Sequence, residues 1–301
     1  LVNSLARTLG AGYRRPDLVR ITLCATARCN ARCAMCDVGL ARNEGIAQGL
    51  DDRPAFLSRE LLDRLLADPL VRSRRVTFVF LMTEPLLHPE LPALVRAVKS
   101  AGHAVELFTN GIRLPELAAA LGEAGVDSVQ VSLNGPPAIN DLTRGVPGAY
   151  ARAVEGIRRL NAFPGVRVTV VYTVTRENQG ALTAFMDGLE RESVRVADVR
   201  FQLLFFVSRA MAERQRQQTG IPIAATSLQE EGLLADIDAE RLAAQWAAVA
   251  RRPRSAHVGR ITQVPPLVTE ADFRRYFSPD GERVAGQCTC EAPWQEVCVQ
   301  T

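Results

Sequence analysis

The sequence predicts an α/β protein built from repeated strand–helix units, and three features carry that expectation. Six short runs rich in Val, Ile, Leu and Phe alternate with segments whose apolar residues recur at helical spacing, at intervals of about 25 to 35 residues. Several runs, such as Val76-Thr77-Phe78-Val79-Phe80-Leu81, are apolar almost throughout, as in parallel strands covered on both faces. Polar and glycine residues follow directly after the strands, at the edge where parallel sheets place their chemistry.

Residues 1–17 form a lead-in, where Gly10, Gly12 and Pro16 discourage a long helix. The first strand spans 19–24. After it, 37–55 is rich in Gly, Asp and Asn and is expected to be an irregular loop over the site. Ser58 stands where it caps a helix over 59–66, whose Leu61, Leu62, Leu65 and Leu66 face inward. Strands then follow at 76–81, 104–108, 128–133, 166–174 and 199–207. Helices at 91–100, 114–124, 149–160 and 181–190 separate them. Past 207 the composition turns to Arg, Gln and Glu, with an amphipathic helix over 233–250 through Leu242, Trp246 and Val249. The expected division is a lead-in at 1–17, the strand–helix body at 18–210, and a helical linker with a cysteine-bearing appendage at 211–301.

Composition narrows the class. The chain has 301 residues, 47% hydrophobic and 23% charged, enough for a sizeable core, and no apolar run of 18 residues marks a membrane span. The first residues lack a signal-peptide pattern. A net charge of +3, spread over scattered arginines, gives no basis for nucleic-acid binding. The seven cysteines lie in two clusters plus Cys24, an arrangement that favours metal binding in a reducing, cytoplasmic setting over disulfides.

The first cluster, Cys29-Asn30-Ala31-Arg32-Cys33-Ala34-Met35-Cys36, sets three thiols in a C-x3-C-x2-C spacing just after the first strand. Three thiolates hold three corners of a cubic iron–sulfur cluster, whereas a closed cluster or a structural zinc needs a fourth ligand. No fourth cysteine follows nearby and Cys24 lies in the strand, so an open iron is the economical reading. A zinc knuckle or three unrelated thiols stand beside it.

This triplet resembles the signature of the radical S-adenosylmethionine (SAM) superfamily, and residues 18 to about 180 carry similar motifs in the same order. The resemblance implies a partial (β/α)6 TIM-like barrel, a [4Fe-4S] cluster on Cys29, Cys33 and Cys36, and SAM on its open iron. Met82-Thr83-Glu84-Pro85 resembles the Gly-Gly-Glu-Pro motif that binds the SAM amino group, with Met82 and Thr83 in place of the glycines. Thr109-Asn110-Gly111 resembles the motif after the third strand, and is also a strong turn signal. Ser132, Asn134 and Arg144 lie in a stretch similar to the region that contacts the SAM carboxylate, Arg144 by paired hydrogen bonds. Ordinary alternatives are an ion-pair partner for Glu84 and a solvated loop position for Arg144. Cys24 is expected to fill the core, with hydrogen donation to a substrate radical as the minority role.

At the other end, Cys288, Cys290 and Cys298, with Pro293 and Trp294, resemble the start of a SPASM or twitch domain, which implies an auxiliary iron–sulfur cluster whose further cysteines are missing here. The implied reaction is reductive cleavage of SAM, fed by an external donor such as flavodoxin or ferredoxin, to a 5′-deoxyadenosyl radical that abstracts hydrogen from the substrate. A small polar natural-product intermediate, sugar- or aminocyclitol-like, is the expected substrate, because the barrel begins about 18 residues in. Dehydrogenation or epimerisation would follow. A peptide (RiPP) maturase using a detached recognition protein is the alternative, and a non-catalytic electron carrier or zinc-binding protein is the reading from another class.

Overall fold

The computed structural model describes residues 18–36, 56–204, 209–220, 237–253, 255–277 and 296–299. Its centre is one sheet of eight parallel strands: β1 (Arg20–Cys24), β2 (Thr77–Leu81), β3 (Ala104–Thr109), β4 (Ser128–Ser132), β5 (Arg167–Val174), β6 (Val196–Leu203), β7 (Val258–Val264) and β8 (Glu296–Val299). The order β7-β6-β5-β4-β3-β2-β1-β8 leaves β7 and β8 at the two edges, so the sheet is an open, partial barrel. Parallel neighbours need crossovers, and helices supply them. Between β1 and β2 lie α1 (Arg59–Ala67) and α2 (Pro69–Arg72). The next crossovers are α3 (Leu91–Ser100), α4 (Leu114–Glu123), α5 (Pro137–Arg144) with α6 (Ala149–Leu160), and α7 (Leu182–Arg191). Then come α8 (Arg209–Thr219), α9 (Ala239–Ala250) and α10 (Glu270–Tyr276). Ser58 caps α1 as its position predicts, its hydroxyl accepting from the Leu61 N–H at 3.2 Å.

Alternation along the strands separates two faces. Ile21, Leu23, Phe78, Phe80, Leu107 and Val129 are buried in the core with Leu94, Leu121, Ile157 and Phe185 from the helices. The opposite face carries a polar network that crosses the barrel. Arg20 pairs with Glu106 at 3.3 Å, Gln130 donates to Glu106, Arg200 donates to Gln130 at 3.3 Å, and Thr262 donates to Asp198 at 3.1 Å. No described helix is long and apolar enough to cross a membrane.

Four details correct the sequence expectation. Eight strands are present rather than six: β7, with mostly exposed or half-buried residues, lacks the apolar run that marks a central strand, and β8 is only four residues long. The sixth strand ends at Leu203 rather than at 207; the apolar 204–207 extended it on paper, and 205–208 lie outside the described residues. Arg144 sits on a helix, α5, where a loop was expected, because Pro136-Pro137 opens a helix at N1 and Gly145 closes it. The amphipathic helix runs from Ala239, where Asp238 caps it, rather than from 233. The covering loop expected at 37–55, and Cys288 and Cys290, fall outside the described residues.

Candidate functional site

The candidate site lies where the carboxyl ends of β1 to β5 meet. The 29–36 loop leaves β1 and is fixed to the end of α5 by its backbone. Arg32 N–H donates to Arg144 O at 2.9 Å and Ala34 N–H to Thr143 O at 3.3 Å. This contact requires glycine at 145: its φ is 63°, and a Cβ there would come 3.0 Å from Arg32 O. Cys29, Cys33 and Cys36 share a small apolar cluster with Ala31, Met35 and Leu204. Burial raises the Cys29 thiol above its ordinary pKa, an effect that the charge of Glu84 adds to and a backbone hydrogen bond from Ala31 opposes.

After β2 the chain enters the Met82-Thr83-Glu84-Pro85 turn. Met82 takes a φ of 92° with its side chain exposed, a conformation that glycine adopts freely and methionine does not. Thr83 Oγ1 donates to Thr26 O and so ties the β2 end to the β1 end, while Cys24 Sγ, also at the β1 end, donates to the same carbonyl at 3.2 Å. Glu84 is 1% exposed. One of its carboxylate oxygens accepts from Thr109 Oγ1 at 2.7 Å and Leu86 N–H at 3.1 Å, and the other from Asn110 N–H at 2.8 Å. Burial dominates and raises its pKa, against those hydrogen bonds and the positive charge of Arg144.

Asn110 reaches toward the thiol loop, its Nδ2 donating to Asn30 Oδ1 at 2.8 Å and lying 4.0 Å from Cys29 Sγ. Gly111 lets that turn close against α6: a Cβ would stand 2.7 Å from the Cβ of Ala153. From the other side, Arg144 is buried, with Nη1 donating to Cys33 Sγ at 3.4 Å and Nη2 to Asn134 Oδ1 at 3.2 Å. The structure thus brings Glu84, Asn110, Asn134 and Arg144 around Cys29 and Cys33. Ser132 ends β4 half-buried and makes no side-chain hydrogen bond to these groups among the described residues. Cys298 lies in β8, its backbone opposite Thr22 of β1.

Several buried side chains that hold this arrangement were not singled out from the sequence. Asn140 Oδ1 accepts from Asn134 N–H at 2.9 Å. Asn178 is fully buried. Its Oδ1 accepts from Thr175 N–H at 2.7 Å, and its Nδ2 donates to Asn134 O at 2.9 Å and Thr173 O at 2.8 Å. The signal available for Asn178 was its place just past the fifth strand. Asn178→Ala strands one N–H and two carbonyls, a cost of about 3 kcal/mol. At about 2–4 °C per kcal/mol for a sizeable domain, the expected loss in Tm is roughly 6–12 °C, measurable by thermal denaturation.

The residues present fit a cluster and an amino-acid-like ligand. Two donors, Arg144 Nε and Asn134 Nδ2, are buried with no partner among the described residues, although their side chains are hydrogen-bonded to each other through Nη2 and Oδ1. Buried orphan donors are costly, and a carboxylate is the acceptor that would satisfy both. Among the described residues, no group of three or more His, Cys, Asp or Glu side chains is set to hold one metal ion. A cubic cluster takes one thiolate at each iron, and three thiols on one loop are the donor set that three of its corners require.

Comparison with known proteins agrees with this geometry. The radical SAM superfamily profile matches residues 23–187. Fe-coproporphyrin III synthase of Methanosarcina barkeri is 30% identical over 171 residues, 56% of this chain and 40% of that protein. Mycofactocin maturase MftC of Mycobacterium ulcerans is 39% identical over 106 residues, 34% of this chain and 28% of that protein. The chain therefore spans well under two thirds of these relatives. Streptococcus suis SuiB bound to S-adenosylmethionine has a similar fold, with a TM-score of 0.60 at 14% identity, over 94% of this chain and 58% of SuiB.

Proposed function

Because this chain belongs to the radical SAM superfamily, whose profile covers more than half of its residues, we propose that Cys29, Cys33 and Cys36 hold the [4Fe-4S] cluster and that Glu84, Asn110, Asn134 and Arg144 hold SAM for hydrogen abstraction from a polar substrate. The observation that carries the reading is the pair of buried, unpartnered donors on Arg144 and Asn134, within one side chain's reach of Cys33. When bound, the cluster and SAM supply one-electron cleavage of the sulfonium and the hydrogen-abstracting species, chemistry that the cofactors carry.

The chain's own part is placement. Arg144 Nε and Asn134 Nδ2 receive a carboxylate, and Glu84, already fixed by three donors, receives an ammonium. Asn110 ties the third strand end to the thiol loop through Asn30. The polar barrel face, with Glu106, Gln130 and Arg200, offers a floor of hydrogen-bonding groups for a sugar- or aminocyclitol-like substrate undergoing dehydrogenation or epimerisation. A second reading, a peptide maturase, is supported by the likeness to MftC and by the fold of SuiB, which has also been solved bound to precursor peptide SuiA.

The test is anaerobic reconstitution with iron and sulfide, then incubation with SAM and dithionite. 5′-Deoxyadenosine is expected to accumulate. A well-formed cluster that yields none, with small-molecule and peptide candidates present, would sink the enzymatic reading in favour of an electron carrier. The mass change of the product separates the two substrate classes.

A further inference from the structure

We propose that Arg144 also sets the reduction potential of the centre it adjoins: its guanidinium, hydrogen-bonded to Cys33, favours the reduced cluster and links that preference to the ligand pocket. The inference rests on the proposed cluster site and goes beyond it, since holding a carboxylate does not require a contact with a thiol.

Four observations support it. Arg144 is 8% exposed, so its charge acts through protein rather than through water. Among the described residues no carboxylate forms an ion pair with it, and the sulfur of Cys33, 3.4 Å from Nη1, is an anion in waiting once that thiol ligates iron. The backbone that carries the guanidinium is fixed to the thiol loop, because Arg144 O accepts the Arg32 N–H and Gly145 packs the helix end against Arg32. Nη2 is held by Asn134, whose Oδ1 also accepts from Thr173 N–H at 3.2 Å.

Reduction adds one negative charge to the cluster and its thiolates. A fixed cation that donates to one of those sulfurs stabilises the product more than the reactant, which raises the potential. The step is one electron in from the reductant, with no bond made or broken. The same side chain has Nε free for a carboxylate, so one guanidinium serves both a cluster sulfur and the ligand. Arg144 is in this respect a positioning and tuning residue.

The experiment is a potentiometric titration of the full chain, reconstituted anaerobically without SAM, with dithionite and mediators, reading the reduced cluster by electron paramagnetic resonance. Cys288→Ser, Cys290→Ser and Cys298→Ser are introduced throughout so that one cluster reports. Arg144→Met is expected to shift the one-electron equilibrium about tenfold toward the oxidised form, about 59 mV lower. Arg144→Lys, which keeps charge but not the planar donor fork, should fall between. Equal potentials in all three chains, with an intact reduced signal, would overturn the proposal. If Arg144→Met does not fold, Arg144→Lys decides alone, a potential equal to the parent's counting against. Failure of the underlying site looks different: no reducible cluster forms in the parent chain at all.

Discussion

Alanine at Cys29, Cys33 and Cys36 together is expected to abolish 5′-deoxyadenosine formation while leaving the fold in place. Each thiolate takes one iron, so losing three removes every protein ligand that the proposed cluster has. The loop does not depend on those thiols for its path. It is held by Arg32 and Ala34 N–H groups on the carbonyls of Arg144 and Thr143, and by the apolar packing of Ala31 and Met35 beside Leu204. Thermal denaturation should therefore move by only a few degrees, on the order of 1 kcal/mol, while SAM cleavage falls to the background of the reagents. Iron content alone does not decide the matter, because an auxiliary cluster of the kind expected on Cys288, Cys290 and Cys298 would also hold iron. SAM cleavage that persists in the triple variant would place the reactive centre elsewhere in the chain.

The strand–helix body was legible because its signals are local. Runs such as Thr77–Leu81 and Arg167–Val174 are apolar and β-branched, and the helices between them repeat at 3.6 residues. The thiol triplet stood out for the same reason, since its three cysteines lie within eight consecutive residues. What escaped notice depends on long-range pairing. β7 has few apolar residues to advertise it, and it is a strand because Val196 N–H and its neighbours offer β6 as a partner edge. For Arg144, a solvated loop position was a substantial alternative; α5 and the backbone contact to Arg32, 112 positions away, place it at the site, where its side chain is buried. Asn178 gave no signal beyond its place after a strand, since its role comes from partners that only the fold supplies. Met82 shows the reverse case. Its departure from the glycine of the resembling motif was visible in the sequence, and the backbone there does take a conformation suited to glycine, with φ at 92°.

Glu84→Gln is expected to weaken SAM binding by about 3–5 kcal/mol, roughly 100- to 5,000-fold, without loss of the cluster. The carboxylate is surrounded by donors on both oxygens, from Thr109 and Leu86 on one and Asn110 on the other. An amide turns one of those ends into a donor facing a donor and removes the charge that an ammonium needs. The pH dependence gives the sharper test. Burial raises the Glu84 pKa, so the folded protein holds this proton more tightly than the unfolded chain does. Its contribution to unliganded stability is accordingly most favourable below the ordinary glutamate range and declines as pH rises toward the folded pKa. SAM affinity runs the other way, since the ammonium pairs with the ionised form: it should be complete above that raised pKa and fall as pH drops through it. Calorimetric binding to the reconstituted chain across a wide series of pH values should show this titration in the parent and a flat profile in Glu84→Gln. A parent profile as flat as the variant's, or equal affinity in the two, would assign Glu84 to holding the Thr109–Asn110 turn and move the ammonium site off this carboxylate.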